Sequence, residues 1–424
     1  MPATKSSAQH SAEQAANATF LQYASSVPQP AILGSIASGS SGGSESPVVW
    51  AREIPVAPRW LELIELYVKL PYSITVPAGA TVYVSPFAPY SVIQNRLTIA
   101  GSPPWDQISL VPFYLDFIAR RQNFDLSYPG PVSTANGGAA QQDDGTWSFD
   151  MGNTSLVPGQ AITNSGTAAE TITGTLQFTG LIQLQRRRHA MFGMIPNGNS
   201  DDRPDLELQL SPLVGPQPEN SLIQDPSASG ATASLTAAGT VIAVYRGKSL
   251  DVLPSGVAVP NPIVGLGWSI NSYTTSVQNA GQVFDIKHRA AMLDQYFWHI
   301  VVNDQQPIDA DYFGLWLTGE SQNARWQYDS SLNNMQSYWQ MIQRHYGRYL
   351  PKGVFVADLV GGEIPELPGE TPFMGAMSPD ESYATAFGVK YTPAQATALR
   401  IPTGTTMNGA YIRTYASGYV EVPY

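Results

Sequence analysis

Two amphipathic helices, one in each half of an otherwise strand-rich chain, constrain the fold more than any other feature. The first is predicted over residues 109–122, and its apolar face, at i, i+3, i+4 spacing, consists of Leu110, Phe113, Tyr114, Phe117 and Ile118. The second is predicted over about 333–349, with an apolar face of Met335, Tyr338, Trp339, Ile342 and Tyr346. It ends before Pro351, because proline disfavours helical geometry in the residue that precedes it. One helix within a β-rich unit, occurring twice, predicts two related β-sandwiches, and this architecture favours a structural building block over an enzyme.

Strands are predicted on both sides of each helix, mostly from the alternation of apolar and polar residues that half-buried strands show. In the first half they are predicted over 64–70, 93–99, 171–184 and 205–210. In the second half they are predicted over 241–246, 295–302, 312–317, 353–359 and 410–422. Residues 127–165 are rich in Gly, Asn and Asp, so an exposed insertion is predicted there.

Composition and charge exclude several classes of function. Only 13% of the residues are charged, about half of the ~25% typical of soluble domains. We therefore expect copies of the chain to cover one another, although a polar uncharged surface fits the same numbers. The net charge of −11 gives no chain-wide basic footprint for nucleic acid, and the lack of cysteine excludes disulfides and thiolate metal sites. The N-terminus lacks the apolar core of a signal peptide, so synthesis in a cytoplasm is expected.

The chain is predicted to divide into an arm and two sandwiches. Residues 1–46 form an arm that ends in a flexible linker over 34–46, because Gly and Ser dominate that stretch. The first sandwich covers 47–213, an inter-domain linker covers 214–239, and the second sandwich covers 240–424. The arm is either a disordered tail or a segment that becomes ordered against neighbouring molecules or a membrane surface.

The sequence predicts no catalytic, cofactor or metal site. Gly39–Gly43 matches the G-x-S-x-G string of a nucleophile elbow, but it lies in a low-complexity stretch rather than between a strand and a helix. The five histidines have no metal-binding spacing. The one basic cluster, residues 186–189, could contact nucleic acid, although a patch for a neighbouring subunit suits an acidic protein better. The residues predicted to contact other subunits or a membrane are Phe20, Leu21, Tyr23, Arg186, Arg187 and Arg188.

Three stretches of sequence resemble a known family. Residues 343–355, QRHYGRYLPKGVF, lead from a helix through Pro-Lys-Gly-Val into a strand. Residues 245–254, YRGKSLDVLP, and residues 295–304, QYFWHIVVND, are similar to the first part of that family's second sandwich and to its aromatic strand. In these three stretches, and in the order of arm, sandwich, helix, sandwich and helix, the chain resembles the double jelly-roll major capsid proteins of tectivirus-like, membrane-containing double-stranded DNA viruses.

The resemblance implies an all-β fold of two tandem eight-stranded antiparallel jelly rolls, each with an inserted α-helix, plus an N-terminal arm. It implies a homotrimer that forms pseudo-hexagonal capsomers in an icosahedral virion capsid, assembled in the host cytoplasm. Its partners are then neighbouring capsomers, a vertex (penton) protein and, through the arm, an internal viral membrane or its proteins. No cofactor, enzymatic activity or sequence-specific nucleic-acid contact is expected. The alternatives are a spike or vertex protein of a virion, or a carbohydrate-binding β-sandwich protein.

Overall fold

A computed structural model describes the protein in two groups of residues. In the N-terminal half it describes residues 25–43, 49–55, 58, 60–99, 102–120, 140–141, 147–150, 155–156, 159–184, 195–196 and 203–249. In the C-terminal half it describes residues 266–276, 283–286, 292–303, 306–307, 314–318, 324–329, 354–358, 377–378, 389–390, 397–400 and 411–421. We call these the described residues.

The N-terminal half contains sixteen described strands and one described α-helix. In chain order they are β1 (Ser25–Ile36), β2 (Val49–Glu53), β3 (Trp60–Val76), β4 (Thr81–Val84), β5 (Ile93–Ile99), β6 (Ser102–Ser109), α1 (Val111–Arg120), β7 (Ala140–Gln141), β8 (Trp147–Asp150), β9 (Ser155–Leu156), β10 (Ala161–Thr163), β11 (Glu170–Gln183), β12 (Ile195–Pro196), β13 (Asp205–Leu210), β14 (Ile223–Gln224), β15 (Thr232–Leu235) and β16 (Gly239–Ser249).

The C-terminal half is described as strands alone. They are β17 (Leu266–Ser276), β18 (Val283–Ile286), β19 (Met292–Asn303), β20 (Gln306–Pro307), β21 (Gly314–Thr318), β22 (Ala324–Asp329), β23 (Val354–Asp358), β24 (Met377–Ser378), β25 (Val389–Lys390), β26 (Thr397–Arg400) and β27 (Tyr411–Glu421). Within the described residues, no helix has the length and apolar character needed to cross a membrane.

The predicted all-β class and the predicted strands are confirmed. The strands predicted over 93–99 and 205–210 coincide with β5 and β13. The strand predicted over 64–70 is the middle of the longer β3, and the last predicted strand is β27. Within the insertion predicted at 127–165, the structure describes the short strands β7 to β10, and the two outer residues of β10 are exposed.

The first predicted helix is confirmed as α1, which begins two residues later than the sequence indicated and is described as far as Arg120. It begins later because Ser109 still pairs with Gln94 in the ladder between β6 and β5. Pro112 lies in the first turn, where its missing N–H removes no intrahelical hydrogen bond. The second predicted helix, residues 333–349, lies outside the described residues.

Helix α1 packs on strand β11 through aromatic and aliphatic contacts. The Tyr114 ring stacks on the Tyr90 ring at a centroid distance of 4.1 Å, and Tyr90 meets Phe178 of β11 edge-on at 5.9 Å. Leu110, just before the helix, is fully buried against β11, and a Cβ at Gly180 would overlap its side chain. A glycine at this position therefore lets the helix lie close to the sheet.

One sheet, which we call the first sheet, organises the N-terminal half. Its strand order is β1-β16-β3-β11, all antiparallel, and β12 and β15 also pair with β3. Alternate residues of its strands, such as Leu66, Val68, Val241 and Phe178, are buried on its inner face. This alternation follows from the two-residue period of a strand, so each strand contributes one apolar row to the core.

The remaining sheets complete the two halves. In the N-terminal half, the sheet β2-β13-β5-β6 contributes the buried Leu206, Leu208 and Leu97 to the core, and β10-β4-β14 forms a small third sheet. The C-terminal half contains the sheets β17-β27-β19-β24-β25 and β18-β26-β21-β22. Every described strand pair is antiparallel except β24 with β25.

The end of the predicted arm differs from the flexible linker that its composition suggested. Strand β1 pairs with β16 along its length, and its residues Leu33 and Ile36 are buried. The following turn is held by hydrogen bonds from Gly39 N to Leu235 O at 2.8 Å and from Gly43 N to Leu210 O at 3.0 Å. Gly42 adopts φ +75°, and a Cβ there would overlap the Ser211 carbonyl. Glycine here allows close packing rather than acting as a tether.

The predicted inter-domain linker, residues 214–239, contains strands that pair with the N-terminal half, so it is not an unpaired connection. Its strand β14 pairs with β4, and its strand β15 pairs with β3. Strand β16, expected to begin the second sandwich at residue 240, lies between β1 and β3 in the first sheet. The described first sheet therefore extends to Ser249, and the division of the chain into domains stays a prediction.

The loop that leads into β15 is closed by Asp225. Its Oδ1 accepts a hydrogen bond from Ser229 N at 3.0 Å, and its Oδ2 accepts hydrogen bonds from Gly230 N and Ala231 N, each at 3.1 Å. Partial burial acts to raise the pKa of this carboxyl, but the hydrogen bonds from Ser229, Ala231 and the serine hydroxyls outweigh it, so the pKa is lowered from its usual value.

We expect Asp225→Asn to destabilise the protein by about 1–2 kcal/mol at pH 6, because a neutral amide cannot accept all of these hydrogen bonds. Since the carboxyl's pKa is lowered on folding, its contribution is complete above the unfolded value, about 3.9, and is lost as the pH falls through the lower folded value. Urea unfolding at pH 6 and at pH 3 should therefore show a smaller difference between wild type and variant at pH 3. An equal difference at both pH values would contradict the assignment.

Candidate functional site

The N-terminal half carries a fully buried acid, Glu219, where it meets the C-terminal half. It lies in a single 3₁₀ turn, Pro218–Asn220, between β13 and β14. Its side chain is 0% exposed. Burying a charged group without partners is costly, so the groups that face this carboxylate define the site.

The partners of Glu219 come from the last strand of the C-terminal half. Arg413 Nε donates to Glu219 Oε1 at 3.2 Å, and the Tyr411 hydroxyl donates to Glu219 Oε2 at 2.8 Å. A further nitrogen of Arg413, Nη2, donates to Gln217 Oε1 at 3.3 Å. Tyr411 and Arg413 are two residues apart on β27, so both point to one face of the strand. We call Glu219, Tyr411 and Arg413 the junction cluster.

The turn that carries Glu219 is anchored to the N-terminal half. The Ser91 hydroxyl donates to Ser221 O at 2.7 Å, and the Ser85 hydroxyl donates to Pro218 O. The Ser221 hydroxyl donates to Gln217 O at 2.7 Å and closes the turn on itself. The carboxylate is therefore held by one half of the molecule and satisfied by the other.

Burial and nearby charge raise the pKa values of the tyrosine and arginine side chains that face Glu219. Burial, together with the charge of Glu219 and its hydrogen bond, raises the pKa of Tyr411, so its hydroxyl remains a donor at physiological pH. Burial acts to lower the pKa of Arg413, but Tyr415, Glu219 and Tyr411 outweigh this and raise it, so the guanidinium stays charged. Tyr415, next on the same face of β27, is fully buried, and burial followed by Glu219 raises its pKa as well.

Other elements meet at the same junction. Strand β6 of the N-terminal half contacts β17 of the C-terminal half, and helix α1 contacts β19. Tyr415 lies beside Ser109, the last residue of β6. The junction is thus a packed interface with a buried ion pair, and its arrangement is suited to joining two blocks rigidly.

The junction cluster offers no open coordination position. Both carboxylate oxygens of Glu219 accept hydrogen bonds from β27. In the part of the chain that the structure describes, no group of three or more His, Cys, Asp or Glu residues could hold a metal ion.

Sequence reasoning did not find this cluster. The residues predicted to make contacts, Phe20, Leu21, Tyr23, Arg186, Arg187 and Arg188, all lie outside the described residues, so those predictions stay predictions. The one available signal was that Glu219 is the only charged residue between Glu207 and Asp225. No sequence spacing indicates a partner almost two hundred positions later.

Comparison by sequence identifies no relative: no family model and no curated protein matches the chain. Comparison of the fold with solved structures finds proteins of similar fold. The major capsid protein of Sulfolobus turreted icosahedral virus matches at a TM-score of 0.52 and 12% identity, over 93% of this chain and 97% of that chain. The PBCV-1 virus capsid matches at 0.50 and 12%, over 94% of both chains. The faustovirus major capsid protein matches at 0.50 and 10%, over 94% of this chain and 91% of that chain.

At these identities the likeness concerns the fold. It extends over nearly the whole chain, and the matched proteins are double jelly-roll major capsid proteins. The predicted double jelly-roll fold and the resemblance to this family's fold are therefore confirmed, while the number of strands in each jelly roll stays a prediction.

Proposed function

We propose that this chain is the major capsid protein of an icosahedral virus and is located in the virion shell. The observation that carries the proposal is the double jelly-roll fold, which covers 93% of the chain and matches capsid proteins over nearly their whole length. The role is structural, and we propose no catalytic activity for it.

The junction cluster supports this mechanical role. A shell subunit made of two sandwiches must keep them in a fixed relation, since the neighbouring subunits contact both. A buried, fully hydrogen-bonded ion pair between the halves restricts their relative movement more than an exposed pair does. Three such two-sandwich blocks around a threefold axis present six sandwiches, and this pseudo-hexagonal outline tiles a nearly six-fold lattice. A different protein then occupies the five-fold vertices.

The composition supports permanent contact with other copies. Only 13% of residues are charged, and the cores of permanent interfaces are depleted in charged residues. Neighbouring subunits would also cover strand edges, which otherwise favour aggregation.

The first 24 residues and the basic cluster are the proposed contacts beyond the trimer. Phe20, Leu21 and Tyr23 give the arm an apolar segment, which we propose binds a neighbouring capsomer or an internal viral membrane. Arg186, Arg187 and Arg188 would face acidic groups of an adjacent subunit, because the chain carries a net charge of −11.

Light scattering on the purified protein tests the proposal. We expect a stable trimer of three times 45.7 kDa, about 137 kDa, that appears in electron micrographs as particles with a hexagonal outline. A mass of 45.7 kDa at every concentration would contradict the proposed function.

A further inference from the structure

Three large apolar side chains are exposed in a line across the first sheet. Ile32 of β1 pairs with Ile242 of β16, and Ile242 pairs with Tyr67 of β3. Their exposed fractions are 78%, 38% and 44%. We call these three residues the apolar row. Cross-strand neighbours on one face lie within about 5.5 Å, so the three side chains form one continuous surface.

The neighbouring register positions enlarge this surface. Pro30 pairs with Val244, and Pro28 pairs with Arg246. Pro28 and Pro30 are exposed and Val244 is half-buried. A contiguous exposed apolar patch of this kind marks a site of interaction rather than ordinary surface.

The charge exposed around the apolar row is positive. Lys69 is exposed at the register position next to Tyr67. On the other side, Arg246 Nε lies 2.6 Å from Glu65 Oε1, but the Arg246 side chain is 44% exposed whereas that of Glu65 is 7% exposed. A partner with net negative charge therefore complements this face, and the chain itself carries −11.

The backbone of the arm's apolar residues cannot return along β1 as far as the apolar row. Ile32 is seven residues beyond Ser25 on β1, which is about 23 Å along a strand. Tyr23 precedes Ser25 by two residues and Phe20 precedes it by five, so they reach at most about 7 and 17 Å from it. Among residues 1–19, Met1 is the only large apolar residue.

The edge of β1 is a poor site for a further strand. In the described part of the first sheet β1 is the last strand on its side, and Pro28 and Pro30 on it have no N–H to donate. A partner is therefore expected on the face of the sheet rather than at its edge.

We propose that a second copy of this chain docks on the apolar row, with Ile32 at the centre of the contact. The inference rests on the proposed capsid function, because it names one face through which the subunits assemble. The apolar row supplies buried area, and Lys69 and Arg246 orient the acidic neighbour.

The substitution Ile32→Lys tests the contact by light scattering over a range of protein concentrations. We expect at least a tenfold rise in the dissociation constant of the oligomer. The thermal unfolding of the subunit should stay unchanged, because Ile32 is mostly exposed within one copy. The matched control is Thr173→Lys on β11, an exposed position at the far end of the sheet, which should assemble like wild type.

A second measurement covers the case in which Ile32→Lys fails to fold. The chain contains no cysteine, so Ile32→Cys can be labelled at one position with a photoactivatable maleimide. We expect cross-linked dimers of twice 45.7 kDa from Cys-labelled position 32 and few from a labelled Thr173→Cys control.

The possible outcomes separate the two proposals. If the wild-type protein is a trimer but position 32 cross-links only within its own chain, another segment of the same molecule covers the apolar row and the inference is wrong. If the folded Ile32→Lys variant forms oligomers with the same dissociation constant as the wild-type protein, the inference is also wrong. If the wild-type protein is monomeric at all concentrations, the proposed function and the inference both fail.

Discussion

Replacing Glu219 with glutamine is expected to lower the free energy of unfolding by about 3–5 kcal/mol, because removing one partner of a buried ion pair leaves the other charge uncompensated. The Arg413 side chain is only 18% exposed and that of Glu219 is 0% exposed, so water cannot replace the lost carboxylate. Urea unfolding of the purified variant at neutral pH measures the change.

The partly exposed pair between Arg96 and Glu207 provides a matched control. These side chains are 36% and 29% exposed and 3.5 Å apart. Because such pairs contribute little, Glu207→Gln should change the free energy of unfolding by less than about 1 kcal/mol. If Glu219→Gln has an effect no larger than this control, the junction cluster does not hold the halves together.

A double variant separates the ion pair from local packing. Replacing both partners of a buried pair with apolar residues of similar volume is often neutral. We therefore expect Glu219→Met combined with Arg413→Met to be more stable than either single variant. Additive losses would show that the two residues act independently.

Deleting residues 2–40 is expected to abolish soluble, folded protein. The deletion removes β1, which covers one edge of β16, together with the buried Leu33 and Ile36. Losing one buried aliphatic side chain costs about 2–5 kcal/mol, and the total approaches the 5–15 kcal/mol that stabilises a whole domain. Soluble yield and gel filtration measure the effect, and a stable, soluble product would contradict the role assigned to β1.

A shorter deletion, residues 2–23, is the matched control and tests the proposed arm. It leaves β1 intact, so we expect folded trimers with wild-type unfolding behaviour. If the arm links capsomers or binds a membrane, these trimers should not form shells under conditions in which wild type does. Normal shells from this truncated protein would overturn the proposed role of Phe20, Leu21 and Tyr23.

Strands with strict alternation could be predicted from the sequence because one of their faces is buried. In β13, Leu206, Leu208 and Leu210 are buried and alternate with polar residues, so the two-residue period is visible in the sequence. The same reason explains the agreement for β5. For α1 the apolar stripe was equally clear, and only its first turn differed.

Strand β1 could not be predicted, because its residues are typical of turns and linkers. Pro28, Pro30 and Gly34 lie within it, and such residues are tolerated in a sheet chiefly at its edge. An edge position is a property of the assembled sheet and is not encoded in the local pattern. The junction cluster was missed for a related reason, since Glu219 and Arg413 meet only after both halves have formed.

The placement of β16 has a consequence for the order of folding during synthesis. Strand β3, which ends at Val76, gains its neighbour β16 only when the chain has been translated as far as Ser249. At about 5–20 residues per second, one side of β3 stays unpaired for roughly 10 to 35 seconds after it leaves the ribosome. A nascent chain of this protein therefore exposes one unpaired edge of the long, apolar strand β3 for that time. We expect molecular chaperones that bind emerging polypeptides to associate with the chain after Val76 and before Ser249 has been synthesised.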